Sequence, residues 1–291
     1  MKSRTCFFSV GLAATCGRRR AIPPEGGGEE VEGRGRAPCP PSVSIPARCH
    51  EASWELTLAP VALDLAGSDQ HLLVLGDTGS GRTSALRTVA NALARTFSPD
   101  QARLVAIDFR RGLADLSGLP LPCRLISRPP QVDEILAELR ELTIERLRAL
   151  DQDSGGGWRG PDVYILVDDY DLISGLPLNP LSTLGDLIFQ GRDAGIHVVL
   201  ARSSGGAARA MLDPVIGRLV ESGAPALLLS GDPHEGPLLR GVRAEPLPPG
   251  RGRLLRRRGR AAMLQLALAS VEPTTADVDG NGGVERVGHL T

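Results

Sequence analysis

The sequence predicts an α/β fold in which a mostly parallel β-sheet is covered by helices on both faces. Short apolar runs alternate with helical patterns between about residues 56 and 270, and this alternation is typical of parallel strands with helical connections. The runs are nearly continuous in apolar residues, as expected of strands that are buried on both faces. A glycine-rich segment follows the first run, which is typical of a phosphate-binding turn.

Five strands are predicted from these apolar runs. They are HLLVLG (71–76), RLVAIDF (103–109), DVYILVDD (162–169), IHVVLAR (196–202) and PALLLSG (225–231). Near the end of the domain, GRGRLLRRRGRAAMLQLAL predicts two more strands joined by a polar turn near Gly259.

Helices are predicted between the strands. Apolar residues recur with a period of 3.6 over residues 132–150, with acidic residues early and arginines late, which favours one amphipathic helix. Another amphipathic helix is predicted after the glycine-rich segment. Asn179 and Pro180 predict the N-cap and first position of a further helix, which Gly195 would end just before the next strand.

The domain organisation follows from composition. The chain has 291 residues, of which 42 % are hydrophobic, and this is enough for one sizeable core. Residues 1–55 are predicted to be a disordered leader, because stretches such as EGGGEEVEGRGRAPCPPS cannot build a packed core. Residues 56–270 form the predicted domain, and residues 271–291 a disordered tail. A signal peptide at the start is disfavoured, because its apolar stretch is short and interrupted.

Charge and cysteine content exclude several classes of partner and site. The net charge is −1, so no overall field draws the chain to nucleic acid or to an anionic membrane. No run of about 18 apolar residues exists, so no membrane span is predicted. Four of the five cysteines lie in the first 49 residues without zinc-ligand spacing, which favours a reducing compartment. The basic cluster at 251–260 could contact phosphates, but a solvated hairpin turn is favoured.

The segment GDTGSGRT (76–83) matches the phosphate-loop pattern G-x-x-x-x-G-K-[ST] at every position but one. Its glycines would let successive backbone N–H groups turn toward an anion, and the following helix N-terminus would add partial positive charge. Thr83 is placed to ligate Mg²⁺. The alternative is a tight glycine turn without a ligand. The predicted nucleotide-binding residues are Gly76, Asp77, Thr78, Gly79, Ser80, Gly81, Arg82 and Thr83.

Arg82 occupies the lysine position of this motif. A lysine ammonium reaches between the β- and γ-phosphates, whereas a guanidinium is planar, bulkier and suited to bidentate contact. Nucleotide binding can survive this change, because the charge is kept. Hydrolysis should suffer, because phosphoryl transfer depends on positioning and electrostatics.

The strand end YILVDDYD (164–171) fits a Walker B motif. Asp168 would hold Mg²⁺, and Asp169 lies where many such ATPases carry a catalytic glutamate. An aspartate carboxylate falls about 1.5 Å short of that position, and a misplaced base can forfeit roughly 10²–10⁴ in rate. The alternative is an ordinary solvated strand end. Asp169 is therefore the candidate catalytic residue, and Thr83 and Asp168 are the candidate Mg²⁺ ligands.

Two other strand ends carry candidate polar residues. Asp108, Arg110 and Arg111 follow the second predicted strand, where one arginine could reach a phosphate or a neighbouring subunit. A solvated strand end is an equal alternative there. Arg202 and Ser203 stand where a polar sensor residue would lie, at the carboxyl end of a strand beside the phosphate loop.

Several stretches together resemble the last ATPase domain of the EccC proteins, the FtsK/SpoIIIE-class motors of type VII secretion. They are LAPVALDLAGSDQHLLVLGDTGSGRTSALR, DFRRGL, YILVDDYDLI, GRDAGIHVVLARSSGGAARAMLDPVIGRLVESG and PLPPGRGRLL, within about residues 56–268. The resemblance implies a RecA-like P-loop fold, ATP and Mg²⁺ as ligands, and hexameric or modular assembly. It places the phosphate site at 76–83 and the magnesium-side acid at Asp168.

The resemblance also implies partners and a location. The partners are other ATPase modules or subunits of the motor and small helical secreted proteins as cargo, at the cytoplasmic face of the membrane. Later modules of this family commonly have degenerate nucleotide motifs and serve cargo recognition and regulation, and Arg82 and Asp169 fit that pattern. Two alternatives stay open: a DNA-translocating motor, and an interaction module whose nucleotide site is a relic. A stand-alone subunit, one part of a split motor and a truncated gene are all compatible with the sequence.

Overall fold

A computed structural model describes the backbone of residues 47–50, and residues 61–152, 158, 160–176, 179–191, 193–206, 210–258 and 261–267. Within these residues one sheet has nine strands in the spatial order β1-β9-β8-β7-β2-β6-β5-β3-β4. The strands are β1 (Ala47–His50), β2 (Leu72–Leu75), β3 (Ala102–Ile107), β4 (Cys123–Ile126), β5 (Asp162–Val167), β6 (Ile196–Arg202), β7 (Ala226–Leu229), β8 (Arg251–Leu255) and β9 (Ala262–Leu266).

The sheet is parallel from β7 to β4 and antiparallel at its other side. β2 pairs in parallel with both β6 and β7, and β5 pairs in parallel with both β6 and β3. β8 pairs antiparallel with β7 and β9, and β1 pairs antiparallel with β9. The carboxyl ends of β2, β6 and β5 therefore meet at one edge of the sheet, where ligands bind in open α/β folds.

Five α-helices connect the strands of the described chain. They are α1 (Arg82–Thr96), α2 (Pro129–Gln152), α3 (Tyr170–Ser174), α4 (Leu184–Gln190) and α5 (Pro214–Glu221). Short 3₁₀ helices span Ala114–Gly118 and Pro233–Glu235.

Two hydrophobic cores cover the two faces of the sheet. Alternate residues of β2 point to opposite cores: Leu73 and Leu75 pack with α2, α3, α4 and α5, whereas Leu72 and Val74 pack with α1. All four side chains are at most 1 % exposed, and full burial of each stabilises the fold by about 1.5–3 kcal/mol. This arrangement confirms the predicted fold class and explains why the strand sequences are apolar without alternation.

The five predicted strands are confirmed as β2, β3, β5, β6 and β7, and the two strands near the end of the domain are confirmed as the antiparallel pair β8 and β9. Gly259, the predicted turn residue, lies outside the described residues. The sequence did not predict β4, a four-residue edge strand with only one fully buried position.

The predicted bounds of the helix after Asn179 were wrong. The Asn179 side chain accepts a hydrogen bond from the Leu181 backbone (3.0 Å) and so closes a turn, and α4 begins only at Leu184. It ends at Gln190, with Gly191 as its C-cap, before Gly195. Gly195 has φ +65° and makes the turn into β6 instead.

β1 lies inside the segment that the sequence assigns to the disordered leader, 1–55. Its four residues pair with β9, from Ala47 opposite Leu266 to His50 opposite Met263. A pairing of this kind depends on an open sheet edge elsewhere in the chain, which local composition does not reveal. The rest of the leader and the tail 271–291 lie outside the described residues, and the domain bounds stay a prediction. No helix in the described part of the chain is long and apolar enough to cross a membrane.

Candidate nucleotide-binding site

The phosphate loop, residues 76–83, connects β2 to α1 at the carboxyl edge of the sheet. Gly76 donates its backbone N–H to Arg202 (3.3 Å) at the end of β6, and Asp77 donates to Ser230 (2.8 Å) after β7. The loop is thus anchored to both neighbouring strands. Gly79 and Gly81 have φ of +77° and +107°, a region that glycine occupies without steric cost.

Gly81 also packs against the segment that enters β8. A Cβ atom at Gly81 would lie 3.2 Å from the backbone nitrogen of Gly250 and 3.3 Å from its Cα. The Gly250 nitrogen donates a hydrogen bond to the Ser80 carbonyl (2.8 Å). The loop therefore depends on glycine at 81 for both its backbone angle and its close contact.

The N-terminus of α1 suits an anion. The helix has 15 residues, its N-cap is Gly81 without a side-chain cap, and its first turn contains no acidic residue. The first N–H groups of a helix have no partners within it and carry partial positive charge. Together with the glycine turn they form the type of cradle that holds phosphates.

Thr83 and Asp168 meet beside this cradle, as their sequence positions predict. The Thr83 hydroxyl donates to Asp168 Oδ2 at 2.6 Å. Burial raises the pKa of the Asp168 carboxyl; the hydrogen bond from Thr83 opposes that shift, and the nearby Asp169 charge adds to it. A hydroxyl and a carboxylate are hard oxygen ligands that fit Mg²⁺, so the residues fit the predicted metal role, which stays a prediction.

Arg82 and Asp169 form an ion pair across the site. Arg82 Nη2 lies 2.7 Å from Asp169 Oδ1, and the two side chains are only 10 % and 12 % exposed. From the end of β3, the exposed Arg110 brings its Nε within 3.1 Å of Asp169 Oδ2. Both carboxylate oxygens of Asp169 therefore face an arginine. Asp169 has φ +45° and precedes α3 directly, a strained backbone that Asp tolerates better than most residues.

The remaining loops at this edge are held by local hydrogen bonds. Asp171 Oδ1 accepts from the Ser203 backbone (2.9 Å) and lies 3.7 Å from Arg82 Nη1. The buried Arg202 guanidinium donates to the carbonyls of Ser203 (2.9 Å) and Gly205 (3.1 Å), and burial lowers its pKa. Arg202 and Ser203 thus fix the loop after β6 in this structure.

Ser204 and Asp108 have structural contacts of the same kind. The buried Ser204 hydroxyl donates to the Asp77 carboxylate and so ties the phosphate loop to β6. Asp108 accepts from the backbones of Arg110 (2.8 Å) and Leu113 (2.7 Å), which closes the turn after β3. Arg111 is exposed, with φ +58°, as expected of a solvated strand end.

A second polar connection leads from the site to α5, and sequence reasoning missed it. Tyr170, the residue after Asp169, is fully buried and donates its hydroxyl to Asp213 Oδ1 (2.8 Å). The same oxygen caps α5 by accepting from the backbones of Val215 (2.9 Å) and Ile216 (3.2 Å). The pair Asp213–Pro214 is an N-cap signature that could have located this helix start in the sequence.

Comparisons with known proteins agree with this geometry. The FtsK/SpoIIIE family matches residues 53–157. The ESX-4 secretion system protein EccC4 of Mycobacterium tuberculosis is 42 % identical over 72 % of this chain, and the ESX secretion system protein EccC of Thermomonospora curvata is 35 % identical over 73 %. The chain covers 17 % and 16 % of the length of these two relatives.

Two solved structures of Thermomonospora curvata EccC are similar to this fold. One is the cytoplasmic domain, with TM-score 0.70 and 33 % identity, covering 79 % of this chain and 26 % of that one. The other contains ATPases 2 and 3 in complex with a signal sequence peptide, with the same score and identity and 41 % of that chain covered.

The chain therefore contains a P-loop ATPase domain of the FtsK/SpoIIIE family. The domain is related to EccC of the type VII (ESX) secretion systems, which confirms the resemblance found in the sequence.

Proposed function

We propose that this domain binds ATP with Mg²⁺, hydrolyses it slowly or not at all, and serves cargo recognition or regulation in a type VII secretion motor. The observation that carries the proposal is the placement of Asp169, whose two carboxylate oxygens lie 2.7 Å from Arg82 and 3.1 Å from Arg110.

Nucleotide binding is supported by the glycine cradle and the residues beside it. The loop N–H groups and the N-terminus of α1 would hold the phosphates, and Arg82 would add a positive charge. Thr83 and Asp168 would hold Mg²⁺, which neutralises phosphate charge when it is bound.

Slow hydrolysis is supported by the state of the candidate base. A general base needs a free oxygen within hydrogen-bond reach of the attacking water. Asp169 is shorter than the usual glutamate, and both of its oxygens are paired with guanidinium groups. Arg82 is also drawn toward Asp169 by this pairing. Both departures from the motif thus act against turnover and leave the cradle intact.

The proposed role in cargo recognition is supported by the relatives. Thermomonospora curvata EccC has been solved with a signal sequence peptide, and we infer that this domain acts on the same kind of partner, together with other ATPase modules or subunits of the motor. Phe189 and Leu212 are 74 % and 84 % exposed, so apolar side chains are available for a protein contact. The proposed location is the cytoplasm, at the inner face of the membrane through partner proteins.

Of the alternatives, a DNA-translocating motor is disfavoured by the net charge of −1, because phosphate contacts dominate DNA affinity. The other alternative is an interaction module whose relic site binds no nucleotide. A measurement of nucleotide binding therefore distinguishes it from our proposal.

A thermal melt of the full chain with and without Mg·ATP, beside an Arg82→Lys variant and followed by a phosphate-release assay, tests the proposal. A ligand at a hundred times its Kd should add about 2.7 kcal/mol to the free energy of unfolding. A rise in Tm with negligible phosphate release is the expected result. Rapid phosphate release would refute slow hydrolysis, and no shift for either protein would favour the relic site.

A further inference from the structure

We propose that Asp169 makes this site discriminate against the γ-phosphate, so that it binds a nucleoside diphosphate, ADP, more tightly than ATP. The inference rests on the proposed nucleotide-binding function and adds the specificity of that site. Arg82 and Asp169, the two side chains that would flank a γ-phosphate, form a direct ion pair.

In a phosphate loop, the side chain at the position of Arg82 reaches the β- and γ-phosphates. An acid at the position of Asp169 would orient the nucleophile that attacks the γ-phosphate, and so would lie close to that phosphate. Here Arg82 Nη2 and Asp169 Oδ1 are 2.7 Å apart and almost fully buried. The space that a γ-phosphate would enter between them is therefore closed by their ion pair.

The guanidinium group of Arg82 leaves one nitrogen for a shorter nucleotide. Its Nη1 is buried and has no hydrogen-bond partner among the described residues; it lies 3.7 Å from Asp171 Oδ1, an ion pair too long for a hydrogen bond. A guanidinium has a rigid fork of donors, unlike the single ammonium of lysine. Nη1 can thus contact a β-phosphate while Nη2 stays paired with Asp169. ADP can therefore bind without breaking the ion pair between Arg82 and Asp169.

ATP meets a less favourable arrangement. Its γ-phosphate must either separate Arg82 from Asp169 or bring its charge beside the carboxylates of Asp169 and Asp171, the latter 3.7 Å from Nη1. Like charges placed side by side oppose binding, and more so where water is scarce. Arg110 neutralises the Asp169 carboxylate only from the solvent side, because the Arg110 side chain is 64 % exposed.

The test is calorimetric titration of the full chain with Mg·ADP and with the Mg complex of a non-hydrolysable imido analogue of ATP. We expect the wild-type chain to bind ADP at least about tenfold more tightly than the triphosphate, a difference of about 1.4 kcal/mol. Asp169→Asn keeps the shape and removes the charge, and it should bring the ratio of the two Kd values close to one.

The matched control is Asp115→Asn. Asp115 also pairs with an arginine of α1, Arg87, at 2.8 Å, but the pair is partly exposed and outside the phosphate loop. This variant should keep the wild-type ratio. Arg110→Gln gives a test with the opposite sign, because loss of this exposed arginine leaves Asp169 more negative and should widen the ratio.

The outcomes separate this inference from the proposed function. Equal or tighter binding of the triphosphate by the wild-type chain overturns the inference alone and leaves nucleotide binding in place. An unchanged ratio in Asp169→Asn, with the variant folded by circular dichroism, also overturns it. Failure of both nucleotides to bind at millimolar concentration would overturn the inference and the proposed function together.

Discussion

Replacing Tyr170 with phenylalanine removes one hydroxyl group from the connection between the nucleotide site and α5. That hydroxyl donates to Asp213 (2.8 Å) and accepts from the Asn179 side chain (3.3 Å). A hydrogen bond to a charged group contributes about 1.5–3 kcal/mol. Asp213 keeps its two backbone donors in α5, so the carboxylate is not left without partners and the loss should stay within that range.

The second tyrosine of the chain supplies a matched control. Tyr164 is also fully buried, but its hydroxyl has no hydrogen-bond partner among the described residues. Tyr164→Phe removes the same atom without breaking a hydrogen bond and relieves an unsatisfied buried group. We therefore expect it to leave stability unchanged or to raise it slightly.

Thermal melts of the wild-type chain and the two variants measure this difference. For a domain of this size, 1 kcal/mol shifts Tm by about 2–4 °C, so Tyr170→Phe should lower Tm by about 3–12 °C. A Tyr170→Phe variant as stable as wild type, or an equal loss in Tyr164→Phe, would show that the hydroxyl bond to Asp213 does not stabilise the start of α5.

Three further predictions concern other parts of the fold. Gly81→Ala should abolish the Tm rise with nucleotide, since its Cβ would press on Gly250. Gly206→Ala, with φ +64° and open space around it, should cost only about 1–2 kcal/mol and keep that rise. Arg146→Lys should lower the free energy of unfolding by about 2–6 kcal/mol in a urea titration, because the buried guanidinium bridges two carbonyl oxygens at 2.7 and 2.8 Å that one ammonium cannot span. Cys123 is half-buried, and this burial raises the pKa of its thiol to about 12. A chain in which the other four cysteines are serine should therefore react slowly with maleimide at pH 8 and react faster once unfolded in urea. Equally fast labelling of the folded chain would contradict the raised pKa.

The sheet could be predicted wherever strands are buried on both faces. β5 and β6 are nearly continuous apolar sequences, and the structure places every residue of β6 in the interior. β4 (Cys123–Ile126) was not predicted, because it is short and three of its four residues are half-buried. β1 was not predicted because its pairing depends on β9, which is far away in sequence.

The site could be predicted in its parts but not in its connections. Motif spacing alone predicts that Thr83 and Asp168 lie together, and their side chains are in contact. The bond between Arg82 and Asp169 depends on the left-handed backbone at Asp169 and on the direction of a long side chain. Neither can be deduced from residue types. For Arg110, the sequence favoured a solvated strand end and a functional contact equally. In the structure its guanidinium pairs with Asp169.

The position of β1 has a consequence for how the chain folds. β1 lies among the first described residues to be synthesised, and its partner β9 is the last strand within the described part of the chain. Contacts between such distant segments form late, because a long loop must close before they contribute. We therefore expect β2 to β9 to assemble first, with the outer edge of β9 open until β1 docks. During that interval β9 can pair with β1 of another chain, so domain-swapped dimers are the expected product of refolding at high protein concentration.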